Sequence, residues 1–341
     1  MDETLRNIGE NLDRLCTVTV RPQGTGQAVI RHLYDAAREK LRDPLTMLAA
    51  QRLLGVLRPG EAVMIATGAG IEDFLPAGET DGPLGAAAMA WALANGAGAI
   101  PVFVTEAEYV ENVAATALAA GLGRRDFDAA RRVPGTCVVL PFPADDTAEP
   151  VARQYVDRYQ PQAIIAIEKL GPNAVGVAHT ATGLPTGKSR ARAEAIFDLA
   201  ASCDILTVGI GDNGNEIGCG TVIDAVRKYK EHGAVCRCPC GQGIATRVAT
   251  DVLVLAGTSN WGGYGVAAAL AASLGRPELL HSADVERFML QECVRTGAAD
   301  GSSGRHTLSV DGTPGIVQTS MLEMMRAVIT IGLQPPRKRP F

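Results

Sequence analysis

The densest group of chemically capable residues is TVGIGDNGNEIGCG at 207–220, where Asp212, Asn215 and Glu216 share one glycine-rich turn. Gly209, Gly211 and Gly214 fit a GxGxxG spacing after an apolar run, the pattern of a dinucleotide-binding turn. Carboxylates crowded on such a turn would repel a pyrophosphate, and no acid ends a later strand at the distance used for ribose recognition. The spacing instead suits proton transfer by Asp212 and Glu216, with Asn215 as a neutral donor or acceptor. Alternatively the two acids hold a divalent metal of the Mg or Mn kind, and no other cofactor is called for. The plainer reading is that Asp212 and Asn213 make a turn and Glu216 caps a helix.

Three further segments are unusually polar. ATGAGIEDFLPAGETDGPLGA at 66–86 carries Thr67, Gly68, Glu79, Thr80 and Asp81 on a connection too long to be a simple link. Glu168 precedes KLGPNAVGVAHTATGLPTGKSR, where glycines and Asn173 offer backbone donors to an anionic group and Lys188, Arg190 and Arg192 add positive charge. AGTSNWGGYG at 256–265 supplies hydroxyl, amide and indole donors from Ser259, Asn260 and Trp261. Cys236, Cys238 and Cys240 form CRCPC. Thiolates at that spacing can share a metal, but it is not a CxxC pair and no partner ligand is identifiable, so the sequence reads them as reduced thiols. His179 and His306 are further candidates for proton transfer, but neither has a recognisable partner in sequence.

These segments matter because each follows an apolar run. Six runs, Ala62–Ala66, Ala99–Val104, Thr136–Leu140, Ala163–Ile167, Asp204–Ile210 and Asp251–Ala256, alternate with helix-length segments, the pattern of βαβ units in a mostly parallel sheet. Their continuous apolar character requires helices on both faces. In such sheets the ligand crevice lies beyond the carboxyl ends of the strands, where the polar segments begin. Thr105 with Glu108 reads as a capping box, Thr80 or Asp81 as the cap of a helix with Pro83 in its first turn, and Val222, Ile223, Val226 and Tyr229 as one helical face. Residues 1–60 read as a helical cover, 61–335 as the α/β domain with a hairpin in AADGSSGRHTLSVDGTPG, and 336–341 as a basic tail.

Composition narrows the partners. The chain has 341 residues, 32 Lys plus Arg against 37 Asp plus Glu and a net charge of −5, which argues against nucleic acid or an anionic membrane. Its 38 glycines and few aromatics point to a small ligand approached by backbone, with no base-stacking platform. No apolar stretch reaches the length of a membrane span, and the early acids of MDETLRNIGENLDRLC are unlike a signal or organelle presequence. The expectation is a cytoplasmic protein with its 8 Cys reduced, and a homo-oligomer stays open.

Taken together, ATG with ETDGPLGA between 66 and 86, GIGDNGNEIGCG at 209–220, ATDVLVLAGTSNWGGYG at 249–265, and TGAADGSSG with LSVDG near the end resemble the D-glutamate cyclase family, in its C-terminal-type domain. GVAHTATG at 176–183 departs from that pattern. The resemblance implies a hydro-lyase interconverting D-glutamate and 5-oxo-D-proline. Ring closure needs a deprotonated α-amine held at the γ-carboxyl carbon, a stabilised oxyanion and a proton for the departing hydroxyl. Asp212 and Glu216 are the expected acid/base pair. Asn215, Ser259 and Asn260 would be oxyanion and carboxylate donors, and Thr67, Gly68 and Glu79 to Asp81 would orient the ammonium. Hydrolysis of another lactam or cyclic amide, or amino-acid binding without turnover, would use the same pocket.

Overall fold

The computed structural model describes residues 1–20 and 29–335, so the basic 336–341 tail lies outside the described residues. Three helices come first: α1 (Glu3–Cys16), whose Asp2 cap accepts from the Leu5 N–H, α2 (Ile30–Leu41) and α3 (Leu45–Val56). The α/β succession then runs β1 (Ala62–Thr67), α4 (Pro83–Gly96), β2 (Ile100–Thr105), α5 (Val110–Ala119), β3 (Gly123–Arg124), α6 (Phe127–Ala130) and β4 (Thr136–Pro141). It continues through α7 (Ala148–Tyr159), β5 (Ala163–Ile167), α8 (Glu194–Ala200), β6 (Leu206–Gly211), α9 (Ile223–Tyr229) and β7 (Val252–Leu255). Last come α10 (Ser259–Ser273), α11 (Ala283–Arg295), a hairpin of β8 (Ser309–Val310) and β9 (Thr313–Pro314), and α12 (Gly315–Gly332).

The seven-stranded sheet is parallel throughout, in the order β3-β4-β2-β1-β5-β6-β7. Alternate residues of each strand enter opposite layers of core. Val63 and Ile65 of β1 pack with α3, α4, α5 and α10, whereas Ala62, Met64 and Ala66 pack with α6, α7 and α8. The α/β class with helices on both faces is therefore as the apolar runs predict. α1 and α3 lie against α10, and α2 against β7.

Chain order reverses at β1, which has β2 on one side and β5 on the other. A crevice opens there because the connections leave the two strand ends in opposite directions. α4 and α10 start beside it and pack backbone to backbone: a Cβ on Gly263 would lie 2.7 Å from the main chain of Gly85.

Some local expectations differ. β3 goes unread in the sequence, being two residues with no apolar run. Thr105 is no helix cap; it stays in β2, its hydroxyl donating to the Thr67 carbonyl at 2.8 Å, and a 3-10 turn at Ala107–Tyr109 precedes α5. Neither Thr80 nor Asp81 caps the helix that follows it. The side-chain oxygen of Asn260 accepts from Gly82 and Gly85 N–H at 2.9 and 2.8 Å at the start of α4. Asp81 in turn accepts from Ser259 and Asn260 N–H at 2.9 and 2.7 Å at the start of α10. The start of α4 is capped by the second residue of α10, and the start of α10 by the residue before Gly82, which fixes both starts relative to one another.

Candidate active site

Beyond the ends of β1, β5 and β6 lies a hollow of about 740 Å³, lined by Glu79, Glu168, Asn213, Asn215, Lys230, His232, Arg237 and Asp311 among others. Three of these, Glu168 (φ 44), His232 (φ 63) and Asp311 (φ 52), have left-handed backbone that non-glycine residues seldom adopt. Such strain persists only where surrounding contacts impose it, and it gathers at functional sites.

Glu168 is the first residue past β5 and is buried. One of its oxygens accepts from the Ser259 hydroxyl at 2.5 Å. Burial, reinforced by the charges of Asp212, Glu216, Asp81 and Glu79, raises its carboxyl well above the usual range. Behind it, the turn after β6 folds back so tightly that Gly218 lies against Gly209, where a Cβ would come within 2.5 Å of the Gly218 Cα. That fold directs Glu216 inward. Its oxygens accept from Asn213 and Gly214 N–H at 2.9 and 2.7 Å. Burial and the neighbouring Asp212 nevertheless push its pKa up to about 7. Oxygens of Glu168, Asp212 and Glu216 all lie within 4.8 Å of one another, and Asp212 also belongs to a second such trio with Asp81 and Asp311.

A hydrogen-bonded line reaches this cluster from the hollow: Lys230 Nζ donates to Asn213 Oδ1 at 2.5 Å, and Asn213 Nδ2 to Asp212 Oδ1 at 2.5 Å. Asn215 Nδ2 donates to the His179 carbonyl at 2.8 Å, which fixes its amide so that Oδ1, buried and without a partner among the described residues, is the atom left for a ligand. Thr67 Oγ1 is likewise buried and unpartnered, and a Cβ on Gly82 would lie 3.0 Å from it and 2.8 Å from the Glu168 Cβ.

Of the residues expected at the site, Glu79, Glu168 and Asn215 line the hollow, and Asp212 and Glu216 stand behind Glu168. Thr67, Gly68, Gly211, Gly214 and Ser259 frame this wall; a Cβ on Gly211 would meet Glu216, and one on Gly214 (φ 96) would meet Val226. Asp81 and Asn260 are engaged by the helix starts. Thr80 donates to the Ser309 carbonyl at 2.8 Å, and Trp261 donates to Gln318 at 2.6 Å in the core. Asn173 is away from the hollow, donating to the Gly243 carbonyl at 2.9 Å. Lys188, Arg190 and Arg192 line a different, larger cleft of about 1180 Å³. Three of its four arginines are paired with carboxylates, Arg190 with Glu194, Arg192 with Asp146 and Arg247 with Asp198, so it lacks the unbalanced acids of the hollow.

Sequence reasoning missed the buried pair of Glu106 and Lys169, whose Oε2 and Nζ are 2.5 Å apart. Glu106 follows β2 and Lys169 is the second residue past β5, so they flank the end of β1 and meet beside Gly68. Lys169 also donates to the Gly68 carbonyl at 3.0 Å. Gly68 (φ 96) leaves the room, since a Cβ there would lie 2.9 Å from the Thr105 hydroxyl. The only available signal was position: charged residues directly after two strands that flank a third.

A family model described as D-glutamate cyclase-like, C-terminal, matches residues 17–326 of this chain. A curated human protein, "D-glutamate cyclase, mitochondrial", is 34% identical over 139 residues, which are 40% of this chain and 20% of that protein. The chain thus matches about a fifth of the length of that relative. Among the described residues, no helix is long and apolar enough to cross a membrane.

Proposed function

This chain belongs to the D-glutamate cyclase-like, C-terminal family, and from that premise we propose that it interconverts D-glutamate and 5-oxo-D-proline plus water by carboxylate acid/base catalysis. The observation that carries the reading is the gathering of Glu168, Asp212 and Glu216 within 4.8 Å behind a hollow at the strand ends.

In the ring-closing direction the α-ammonium gives up two protons, one before and one after its nitrogen bonds to the γ-carboxyl carbon, and one γ-carboxylate oxygen takes up two and leaves as water. A group that gives and takes protons near neutrality suits both transfers. Glu168 faces the hollow and its raised pKa keeps it protonated, so it is the donor to the leaving hydroxyl. Glu216, at about 7, is the reservoir that takes protons from the nitrogen in turn and returns them through the cluster to Glu168. Asn215 Oδ1 and the Thr67 hydroxyl accept from the ammonium and hold the nitrogen toward the γ-carbon. Lys230 and Arg237, the formal cations on the lining, face the carboxylates of a dicarboxylate substrate.

The carboxylates along this wall outnumber those cations, and they supply oxygen donors only, the set that fits a divalent ion of the Mg or Mn class. Asp212 would hold it, with Glu168 and Glu216 or with Asp81 and Asp311, since it belongs to both trios. Such an ion, when bound, would offset the negative charge and polarise the substrate carboxyl.

The test is incubation with D- and L-glutamate and both 5-oxoproline enantiomers, with and without Mg²⁺ or Mn²⁺, for wild type and Asp212→Asn. Interconversion of the D pair, slowed by the substitution, is expected. A wild type that turns over none of the four, yet is stabilised thermally by one of them, would make the chain a binding module and overturn the proposal.

A further inference from the structure

We propose that His179, Cys236, Cys238 and Cys240 form a closed, tetrahedral zinc site that clasps two irregular segments of the chain along one edge of the hollow. His179 Nε2 lies 3.2 Å from Cys238 Sγ and 3.7 Å from Cys240 Sγ. Cys236 Sγ lies 3.5 Å from Cys238 Sγ and 3.3 Å from Cys240 Sγ. All four ligand atoms fall within 4.8 Å of one another. Zinc bonds of about 2.3 Å to sulfur and about 2.0 Å to nitrogen at tetrahedral angles give edges of about 3.8 Å between sulfurs and about 3.5 Å from sulfur to nitrogen. The four distances each lie within about half an ångström of these edges.

The ligand set selects the metal. Three thiolates and an imidazole in a tetrahedron suit Zn²⁺, while the oxygen-only cluster in the hollow suits harder cations. Four protein ligands leave no open position, so the role is structural. Surrounding contacts agree: Asn173 Nδ2 donates to Cys240 Sγ at 3.5 Å, the kind of outer-shell bond that steadies a ligating sulfur. All eight cysteines are free thiols.

The need for a clasp is visible in the backbone. No helix or strand is formed between β5 and α8 or between α9 and β7. Stretches that long without secondary structure are uncommon unless something orders them. The cluster joins one to the other, His179 from the first and the three cysteines from the second. The joined residues flank the hollow: Thr180 and Thr182 follow His179, and Arg237 stands between Cys236 and Cys238. His179 also accepts from Asn215 through its carbonyl at 2.8 Å. Loss of zinc therefore loosens the rim that carries Arg237 and the support of Asn215.

The experiment measures metal in the full-length protein purified under reducing conditions without chelator, by mass spectrometry of the element. One zinc per chain is expected in wild type and in a Cys203→Ser control, whose exposed cysteine lies outside the cluster, and at least a tenfold loss in Cys238→Ser. Because the variant can fail to fold, cobalt replaces zinc in wild type as a second measurement. Intense thiolate-to-cobalt absorption is expected, and cobalt held by oxygens alone lacks it. Failure of wild type to take up zinc from a competing chelator, retention of zinc by a folded Cys238→Ser, absence of the thiolate band, or a disulfide within the cluster of the reduced protein would each overturn the site.

Discussion

Substitution of Lys169 by Met removes one charge from the Glu106–Lys169 pair, whose side chains are 1% and 2% exposed. Glu106 would keep the Ala191 N–H at 2.9 Å and a long contact from the Thr105 hydroxyl, too few donors for a buried carboxylate. Breaking a buried pair from one side costs about 3–5 kcal/mol, because an uncompensated charge is left in the interior. Glu106→Gln is the milder change. Burial lowers the pKa of Lys169 and Glu106 opposes that shift, so without Glu106 the lysine sheds its proton more readily and escapes part of the penalty. The double variant, Glu106→Gln with Lys169→Met, buries no charge and should fall within about 1–2 kcal/mol of wild type. Urea unfolding followed by circular dichroism measures all four proteins. The expected coupling is at least about 2 kcal/mol, well beyond the about 0.5 kcal/mol scatter of independent sites. Lys169→Met should also lower Tm by about 4–7 °C, the shift per kcal/mol being small for a chain this long. A single substitution costing under about 1 kcal/mol, or a double variant that merely sums the singles, would refute the reasoning.

Glu216 makes stability depend on pH. Its folded pKa of about 7 exceeds the 4.5 of an unperturbed glutamate, so its contribution is complete below about pH 4.5 and is lost as pH rises through 7. In chelator-treated protein, denaturation midpoints should show that decline between wild type and pH-matched Glu216→Gln; parallel profiles would contradict it. Asn260→Ala deletes the caps of Gly82 and Gly85 N–H and leaves the Thr80 carbonyl, which accepts from Asn260 at 2.9 Å, without that donor. A loss of about 3 kcal/mol is expected in the same unfolding assay, against under about 0.5 kcal/mol for an exposed substitution.

What the sequence discloses follows from locality. The strands are readable because burial on both faces leaves continuous apolar runs, and the polar residues after them mark the crevice once the sheet is known to be parallel. Contacts between distant residues leave no such trace. Asn260 caps α4 from 178 positions away, so the acid nearest the helix, Asp81, looks like the cap. His179 meets Cys238 across 59 positions, which hides the fourth ligand of CRCPC. The GxGxxG pattern is informative in an unexpected way: Gly209 yields to the approach of Gly218, bringing Glu216 behind Glu168, where a phosphate has no role.

The most direct test of the account is the steady-state interconversion of D-glutamate and 5-oxo-D-proline by Glu168→Gln, followed by chiral chromatography beside wild type. Glutamine keeps the shape and can still accept from the Ser259 hydroxyl, but it cannot exchange a proton. The account predicts a fall in kcat of about 10²–10⁴ with KM changed by only a few fold. An unchanged kcat in a folded variant would contradict it.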